Sequence, residues 1–417
     1  MKFVHAADIH LDSPLSGLSA YPDAPAAQLR GATRDAFAAL VDRAIEEDVD
    51  FMVIAGDLYD GSWRDYNTGI FFCKEMGRLK RAGIPVYLLF GNHDAESEMT
   101  RKLDLPDNVT CFSASKPETF RIEGLSVALH GHSFKQKETT SNLVMHYPAA
   151  LPGHYNIGVL HTALEGYAAH ASYAPCTVDE LHAKGYQYWA LGHVHEFCQW
   201  SGASTIVFPG NLQGRHVREC GRRGAVLVTV DEAGESTVER IFIDLLRWEH
   251  VQVDASSCET LVDVSRGIGR ALESLLAGDG HVPRAVRVTV QGRTKAHGQL
   301  FGLEAQLRSE VLALIAGIGN ERLWLEKVRL ETEAFVDAAK AHERLDAFAD
   351  LQDILAAAAV DPEFSAHLQD TLAPFAAKAP LDLQPLVPLI EKIRSGQLHD
   401  LVESVSPGLL AHLQQGE

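Results

Sequence analysis

No stretch of this sequence approaches the roughly 18 consecutive apolar residues that a membrane-spanning helix requires, and this excludes a helical membrane protein. Cysteine is scarce and scattered. The six, at 73, 111, 176, 198, 220 and 258, include no CxxC pair, which argues against a thiolate zinc module or a disulfide-stapled scaffold. The N-terminus, Met1-Lys2-Phe3-Val4-His5-Ala6-Ala7-Asp8, lacks the apolar region and small-residue cleavage site of a signal peptide. These absences predict reduced thiols and a cytoplasmic protein. Excess positive charge is missing too: a net charge of −19 excludes a protein that coats nucleic acid non-specifically. The last 117 residues alone hold nine Lys/Arg against nineteen Asp/Glu. No internal repeat, zinc finger, RNP-like aromatic pair or helix-turn-helix is visible, so sequence-specific base reading is not expected.

What is present is an ordinary globular composition, 46% hydrophobic and 22% charged over 417 residues, enough for two or three domains. Over residues 1–245, short apolar runs alternate with amphipathic stretches, which predicts an α/β domain. One helix runs through Leu29, Thr33, Ala36, Phe37, Leu40, Val41, Ala44 and Ile45, at the spacing that buries one face. Strands are expected at 3–7, 51–55, 86–90, 157–160 and 188–191, with further β-like runs at 205–208 and 225–230. Residues 246–335 read as a β-α-β-α-β series, a separate small domain. In it Val286, Val288 and Val290 alternate with Arg287, Thr289, Gln291 and Arg293, predicting a half-buried strand with a basic outer face. Residues 336–417 read as a helical tail punctuated by prolines.

The chemistry lies in where the apolar runs end. Phe3–Ala7 runs into Asp8 and His10, and Phe51–Ala55 into Gly56-Asp57. Val86–Phe90 runs into Gly91-Asn92-His93-Asp94, Ile157–Leu160 into His161, and Tyr188–Leu191 into Gly192-His193-Val194-His195. Ligands of open α/β sheets gather beyond the carboxyl ends of the strands, so these residues are expected to converge. Singly, each has a bland explanation: Asp-x-His or Gly-Asp as a turn, His161 as a satisfied core histidine. Five in this order do not. Carboxylate, imidazole and carboxamide donors without thiolate suit manganese, iron or zinc. Two such ions about 4 Å apart can clamp a phosphate and make a bound water acidic enough to supply hydroxide near neutral pH. Glycines 56, 91 and 192 fit turns where backbone must approach the site closely.

The motifs DxH, GD, GNHD, H and GHxH resemble those of the calcineurin-like metallophosphoesterase superfamily, over essentially all of residues 1–215. Ala6–Pro14, His170–Cys176, Tyr188–His193 and Phe208–His216 look like the SbcD-type DNA repair exonucleases, closest to their YhaO-like branch. The resemblance implies a two-sheet αββα sandwich, a small α/β capping domain that shapes a DNA-binding cleft, and a helical C-terminal tail. It implies that Asp8, His10 and His195 hold one metal and Asn92, His161 and His193 the other, with Asp57 bridging and manganese the usual ion. It also implies that His93 faces the scissile phosphate and that Asp94 orients the His93 ring. Some relatives carry a histidine three residues after the bridging aspartate, where this chain has Asp60.

Two basic features are candidates for DNA contact: Arg215, His216 and Arg218 in the loop 214–223, which also carries Arg222 and Arg223, and Arg287 and Arg293 on the cap strand. By analogy with the SbcD type, the tail, with Leu345, Phe348, Leu351, Ile354 and Leu355 at helical spacing, docks on an SMC-like coiled-coil ATPase, and the chain forms a homodimer. A tail folded on its own body is the alternative. The functional expectation is a metal-dependent DNA nuclease acting in DNA repair. Its rivals are a phosphatase or phosphodiesterase on nucleotides or other small phosphoesters, and a non-catalytic scaffold subunit, which the full set of ligand positions disfavours.

Overall fold

The computed structural model describes residues 1–15, 26–61, 66–96, 103–164, 173–278, 282–300, 302–318, 322–335, 353–358, 360–378, 393 and 398. His170, Leu345, Phe348 and Leu351, and the side chain of Leu29, lie outside them. The chain divides into two compact units: one of residues 1–250, 280–286 and 321–326, the other of 251–279, 287–320 and 327–417. No helix among the described residues is long and apolar enough to cross a membrane.

The first unit holds two six-stranded sheets. In the first, β1 (Lys2–Ala6), β2 (Phe51–Ala55), β3 (Val86–Leu89) and β4 (Val109–Cys111) run parallel. The second contains β5 (Glu118–Ile122), β6 (Val127–Gly131), β7 (Tyr155–His161), β8 (Tyr188–Gly192), β9 (Cys198–Trp200) and β10 (Thr205–Phe208), in the order β5-β6-β7-β8-β10-β9. β11 (Gly224–Val230) and β12 (Ser236–Phe242) then return to the first sheet, where β11 pairs antiparallel with β1 and β12 forms the edge.

Side-chain alternation builds three apolar layers from these two sheets. Phe3, Phe51, Val53 and Ala55 face inward, where they meet Leu129, Ile157, Val159, Tyr188 and Val207 of the second sheet. Their neighbours Val4, Ala6, Met52 and Ile54 face outward. There they receive Ala36, Phe37, Leu40, Val41 and Ala44 of α1 (Ala26–Glu46), and Phe72, Met76 and Leu79 of α2 (Tyr66–Arg81). Beyond the second sheet, Trp189, Leu191 and Ile206 pack with Tyr147, Tyr186 and Leu181, the last on α4 (Val178–Ala183). Each large apolar side chain so buried contributes about 1.5–3 kcal/mol. The result is the αββα sandwich expected. His5 braces it from within: the Tyr188 hydroxyl lies 3.0 Å from Nδ1 and the Leu191 carbonyl 3.1 Å from Nε2. Burial pushes this imidazole down to about 3, so it is a neutral tie between two ligand-bearing strands.

A three-stranded sheet has the order β13 (Arg247–Asp254), β14 (Arg284–Thr294), β15 (Leu323–Ala334). In the second unit, α5 (Leu261–Ala277) starts with a capping box in which Thr260 and Asp263 satisfy each other's backbone N–H. Its buried residues include Val264, Ile268 and Leu272, and those of α7 (Glu304–Gly317), which follows the short α6 (His297–Leu300), are Leu307, Val311 and Ile315. The alternation expected in β14 holds only in part. Val286, Val288 and Val290 are buried, but so is Thr289, and Arg287 is half-buried. A basic outer face is therefore not formed as predicted. In the tail, residues 353–358 and α8 (Pro362–Lys378) are helical, and Ile354 is exposed.

Candidate metal centre

Every residue expected to hold metal sits just beyond the carboxyl end of a parallel strand or at that strand's last residue. Asp8 and His10 follow β1, Asp57 follows β2, and Asn92 opens α3 (Asn92–Glu96) after β3. His161 ends β7, while His193 and His195 follow β8. The loops are held in uncommon shapes. Asp8 (φ 50°), His10 (46°), Asp12 (62°), Asp57 (52°) and His193 (105°) are five of the eight non-glycine residues with positive φ among the described residues. Each such conformation costs about 1–3 kcal/mol and persists only where its surroundings over-determine it. Here the β1 and β2 loops are laced by Asp8 N–H to the Gly56 carbonyl (3.0 Å), His10 N–H to that of Asp57 (3.0 Å) and Leu11 N–H to that of Leu58 (2.9 Å). The Asp8 carboxylate accepts from His193 N–H at 2.9 and 3.1 Å, which ties in the second sheet. Two of the glycines singled out in the sequence make this closeness possible. A Cβ at Gly56, itself at φ 98°, would stand 2.4 Å from His161 Nδ1, and one at Gly192 2.0 Å from the Ala55 carbonyl oxygen.

Among the described residues three groups of donors have their ligand atoms within 4.8 Å of one another: Asp8/His10/His195, Asp57/His161/His193 and, sharing His10, His10/Asp60/His93; the first two contain the expected ligands. Asp57 Oδ2 lies between them, 3.9 Å from His10 Nε2 and 3.4 Å from His161 Nε2. Asn92 Oδ1 is 3.0 Å from His161 Nε2, and Asp8 Oδ1 is 3.8 Å from His195 Nε2. The far nitrogens set the tautomers. His161 Nδ1 donates to the Ala55 carbonyl at 3.0 Å, and His195 Nδ1 to Glu219 Oε1 at 2.8 Å. Both Nε2 atoms therefore turn lone pairs inward. His195 Nε2 faces His10 Nε2 at 3.3 Å, and His161 Nε2 faces carbonyl and carboxylate oxygens. Lone pairs converging in this way, with almost every side chain buried, call for cations between them. This donor set fits two borderline divalent ions. Burial pushes His161 down, yet Asp57, by charge and hydrogen bond, outweighs it and raises the ring to about 9, so a cation bound at Nε2 must displace the proton held there. Burial likewise opposes ionisation of Asp57, but His161, His10 and His93 hold its carboxyl well below the usual range.

A surrounding layer positions these ligands, and the sequence reading did not assign it. Glu219, 5% exposed, orients His195 and is itself fixed by Asn211 Nδ2 (2.9 Å), Arg215 N–H (2.7 Å) and Arg215 Nη2 (3.3 Å). Its only signal in the sequence is being the lone acid in a basic loop. Asp60 Oδ1 stands 3.3 Å from His10 Nδ1, 3.7 Å from His93 Nδ1 and 3.4 Å from Arg215 Nη1. Asp94 differs from its expected role. Its oxygens accept from the N–H groups of Tyr59 (2.9 Å), Gly91 (3.0 Å) and Leu58 (3.2 Å), pinning the two loops together, and none reaches the His93 ring. The acid beside His93 is Asp60. His93 keeps 33% of its side chain exposed, while its backbone N–H donates to Asp57 Oδ1 at 3.0 Å.

The basic candidates divide. Arg215 reaches the centre, but at 14% side-chain exposure it is engaged with Glu219 and Asp60. His216 is 38% exposed with Nε2 3.6 Å from Glu219, and Arg218 is exposed. Arg223 is buried and bonds the His195 carbonyl, Glu196 and the Cys220 carbonyl. Arg287 and Arg293 belong to the second unit, where Arg293 pairs with Glu333 at 2.8 Å.

The model of the calcineurin-like phosphoesterase family matches residues 1–197, and that of the middle domain of metallophosphoesterase YhaO matches residues 248–333. The chain is 32% identical over 381 residues to the uncharacterized metallophosphoesterase YhaO of Bacillus subtilis, covering 88% of this chain and 92% of that one. It is 28% identical over 227 residues to the DNA double-strand break repair protein Mre11 of Sulfurisphaera tokodaii, covering 51% of this chain and 57% of that protein. A solved dimetal phosphatase from Danio rerio aligns with 57% of this chain and 98% of its own at 12% identity, with a TM-score of 0.38.

Proposed function

This chain belongs to the calcineurin-like phosphoesterase family, and on that footing we propose that it cleaves phosphodiester bonds in DNA with two divalent metal ions, manganese foremost. The observation that carries the hydrolytic reading is the convergence of two donor groups on one shared carboxylate, Asp57 Oδ2. Asp8, His10 and His195 would hold one ion; Asn92, His161 and His193 would hold the other. When bound, the ions supply the charge that clamps a phosphate and acidifies water.

The chain's own residues do the rest. Asp57 keeps its negative charge between the two groups and is held in orientation by His93 N–H. The Ala55 carbonyl and Glu219 hold the Nδ1 sides of His161 and His195, so that each ring presents Nε2 to the donor groups. His93, a third exposed where His10 and Asp57 are sealed, is open to a substrate oxygen, and in this reading it would protonate the leaving oxygen. Support for DNA as substrate comes from the Mre11-named relative and from His216 and Arg218, which lie on the loop whose Arg215 and Glu219 touch the centre.

The test is an assay with manganese on linear and single-stranded DNA, with bis-p-nitrophenyl phosphate in parallel and His93→Ala as control. Cutting of DNA that the variant loses while retaining its metals supports the proposal. Hydrolysis of the small ester alone sinks the DNA assignment and leaves a phosphodiesterase of small substrates.

A further inference from the structure

Arg240, on the edge strand β12, is exposed, and its guanidinium carbon lies 4.6 Å from the ring centres of both Phe197 and Phe242. Arg222 stacks on the same Phe242 ring at 3.7 Å, and Arg240 Nη2 donates to the Arg222 carbonyl at 3.3 Å. Two guanidiniums and two half-buried phenylalanines thus form one ladder. A guanidinium stacked on rings keeps its plane and offers its N–H edge, which matches a phosphate. Charge around it is unbalanced. The two acids that act on Arg240, Glu196 and Asp244, are already paired with Arg223 and Arg247. Partial desolvation, then the charges of Arg223 and Arg222, lower the Arg240 guanidinium from its ordinary value against those two acids. An anion relieves that crowding. Arg222, Arg240 and Phe242 also border a recess of about 370 Å³ against α1. Glu239 lines that recess too, so the seat for an anion is on the other side of the strand, toward Phe197.

The ladder stands beside the metal centre. Phe197 is two residues beyond His195, and Arg223 holds the His195 carbonyl. Across the sheet, Arg240 is level with Val226, and Val226 with His5 of β1, three residues before Asp8. Two strand spacings across and three residues along come to about 10 Å each, or about 14 Å in all. We infer that Arg240 and Arg222, braced by Phe242 and Phe197, seat a backbone phosphate of single-stranded DNA about four nucleotides from the scissile one, at about 3.4 Å per nucleotide. A phosphate contact is indifferent to base sequence, in keeping with the lack of any base-reading module. It gives the centre a grip on long strands that a small ester cannot use.

This inference rests on the DNA reading, and the experiment separates the two. The full chain with manganese is assayed as wild type, Arg240→Ala and Arg240→Lys on a single-stranded decathymidylate and on bis-p-nitrophenyl phosphate. Arg240→Ala should raise KM for the decamer about tenfold, the loss of one charge-assisted hydrogen bond, with kcat moved far less. Its preference for the decamer over the small ester should fall by the same factor. Binding of the decamer, followed by anisotropy in the His93→Ala background, should depend less on salt by about 0.7 in the logarithmic slope. Arg240→Lys keeps the charge but not the planar edge, so it should restore the salt slope and only part of the affinity. Thermal melting checks folding, and the lysine variant carries the comparison if alanine loosens the edge strand. If wild type cuts the decamer and Arg240→Ala matches it within about twofold in KM with the same salt slope, the subsite is refuted and the DNA reading stands. An equal fall on both substrates places the damage at the centre and refutes the subsite as well. Wild type that hydrolyses only the small ester overturns both.

Discussion

Replacing Glu219 by glutamine tests whether the layer behind the ligands matters as the distances say. The two carboxylate oxygens accept from four donors: His195 Nδ1 and Arg215 Nη2 on Oε1, and Asn211 Nδ2 and Arg215 N–H on Oε2. A glutamine offers one oxygen and one NH2 group. Whichever way it turns, two donors face the NH2 in a buried site. At about 1.5–3 kcal/mol for each hydrogen bond to a charged group, Glu219→Gln should destabilise the fold by about 3–5 kcal/mol, which is also the range for breaking a buried ion pair. Manganese affinity should fall about 10–100-fold, because His195 loses the acceptor that fixes its tautomer. The stability difference should also depend on pH. The folded Glu219 carboxyl is depressed below its ordinary value of 4.5, with His195 and Arg215 outweighing burial. Its contribution is therefore fully present above that value and is lost as pH falls through the folded pKa. The gap between wild type and variant should be constant from neutral pH down to about pH 5 and narrow only in stronger acid. Urea denaturation of the metal-free proteins across that range measures it. A variant within about 1 kcal/mol of wild type at pH 7, or a gap that widens in acid, would refute the reasoning.

Other expectations follow from the same geometry. Asp57→Asn removes the shared charge between the two donor groups, so manganese content by elemental analysis should drop below two ions and hydrolysis should vanish. His93→Ala should keep both ions and lose about 10²–10⁴-fold in turnover of any phosphodiester the enzyme accepts, the range for a positioned proton donor. Gly192→Ala forces a methyl within 2.0 Å of the Ala55 carbonyl, and the β8 loop can yield only by dragging Asp8 and His193. A loss of about 1–3 kcal/mol by denaturation is expected, and an unchanged midpoint would mean the loops are looser than they are placed here. Manganese at about 100 times its dissociation constant should stabilise the chain by about 2.7 kcal/mol per occupied site, an effect that chelator reverses in a thermal melt.

The inner donors were legible in the sequence because two independent regularities coincide in them. Phe51–Ala55 and Val86–Leu89 are buried along their length, so they read as short unbroken apolar runs, and the polar residue ending each run stands out. β12 was not read as a strand. Its residues Ser236–Phe242 are mostly solvated on a sheet edge, and β5, equally an edge, has the same weak pattern. β6, although fully buried, carries His130 in its run and ends in a glycine, so only Val127–Leu129 are left as an apolar signal. Thr289 misled in the opposite direction: strict alternation placed it with the exposed arginines, but it is buried.

What sequence could not reveal at the site is partner choice. Arg215 and Asp60 stood out in the sequence, but as a DNA contact and as a departure from relatives rather than as partners of Glu219 and the histidines, and Asp94 follows His93 directly in the chain, which made it the natural orienting acid. The fold decides otherwise. Asp94 is turned inward to collect three backbone N–H groups, and burial raises its carboxyl to about 7, with Asp57 adding to the shift. Asp60, 33 residues before His93 in the chain, takes the place beside both rings. A residue's neighbour in sequence is fixed by the chain, but its neighbour across a metal centre is fixed by which loops the sheets deliver. Only the first can be read before folding.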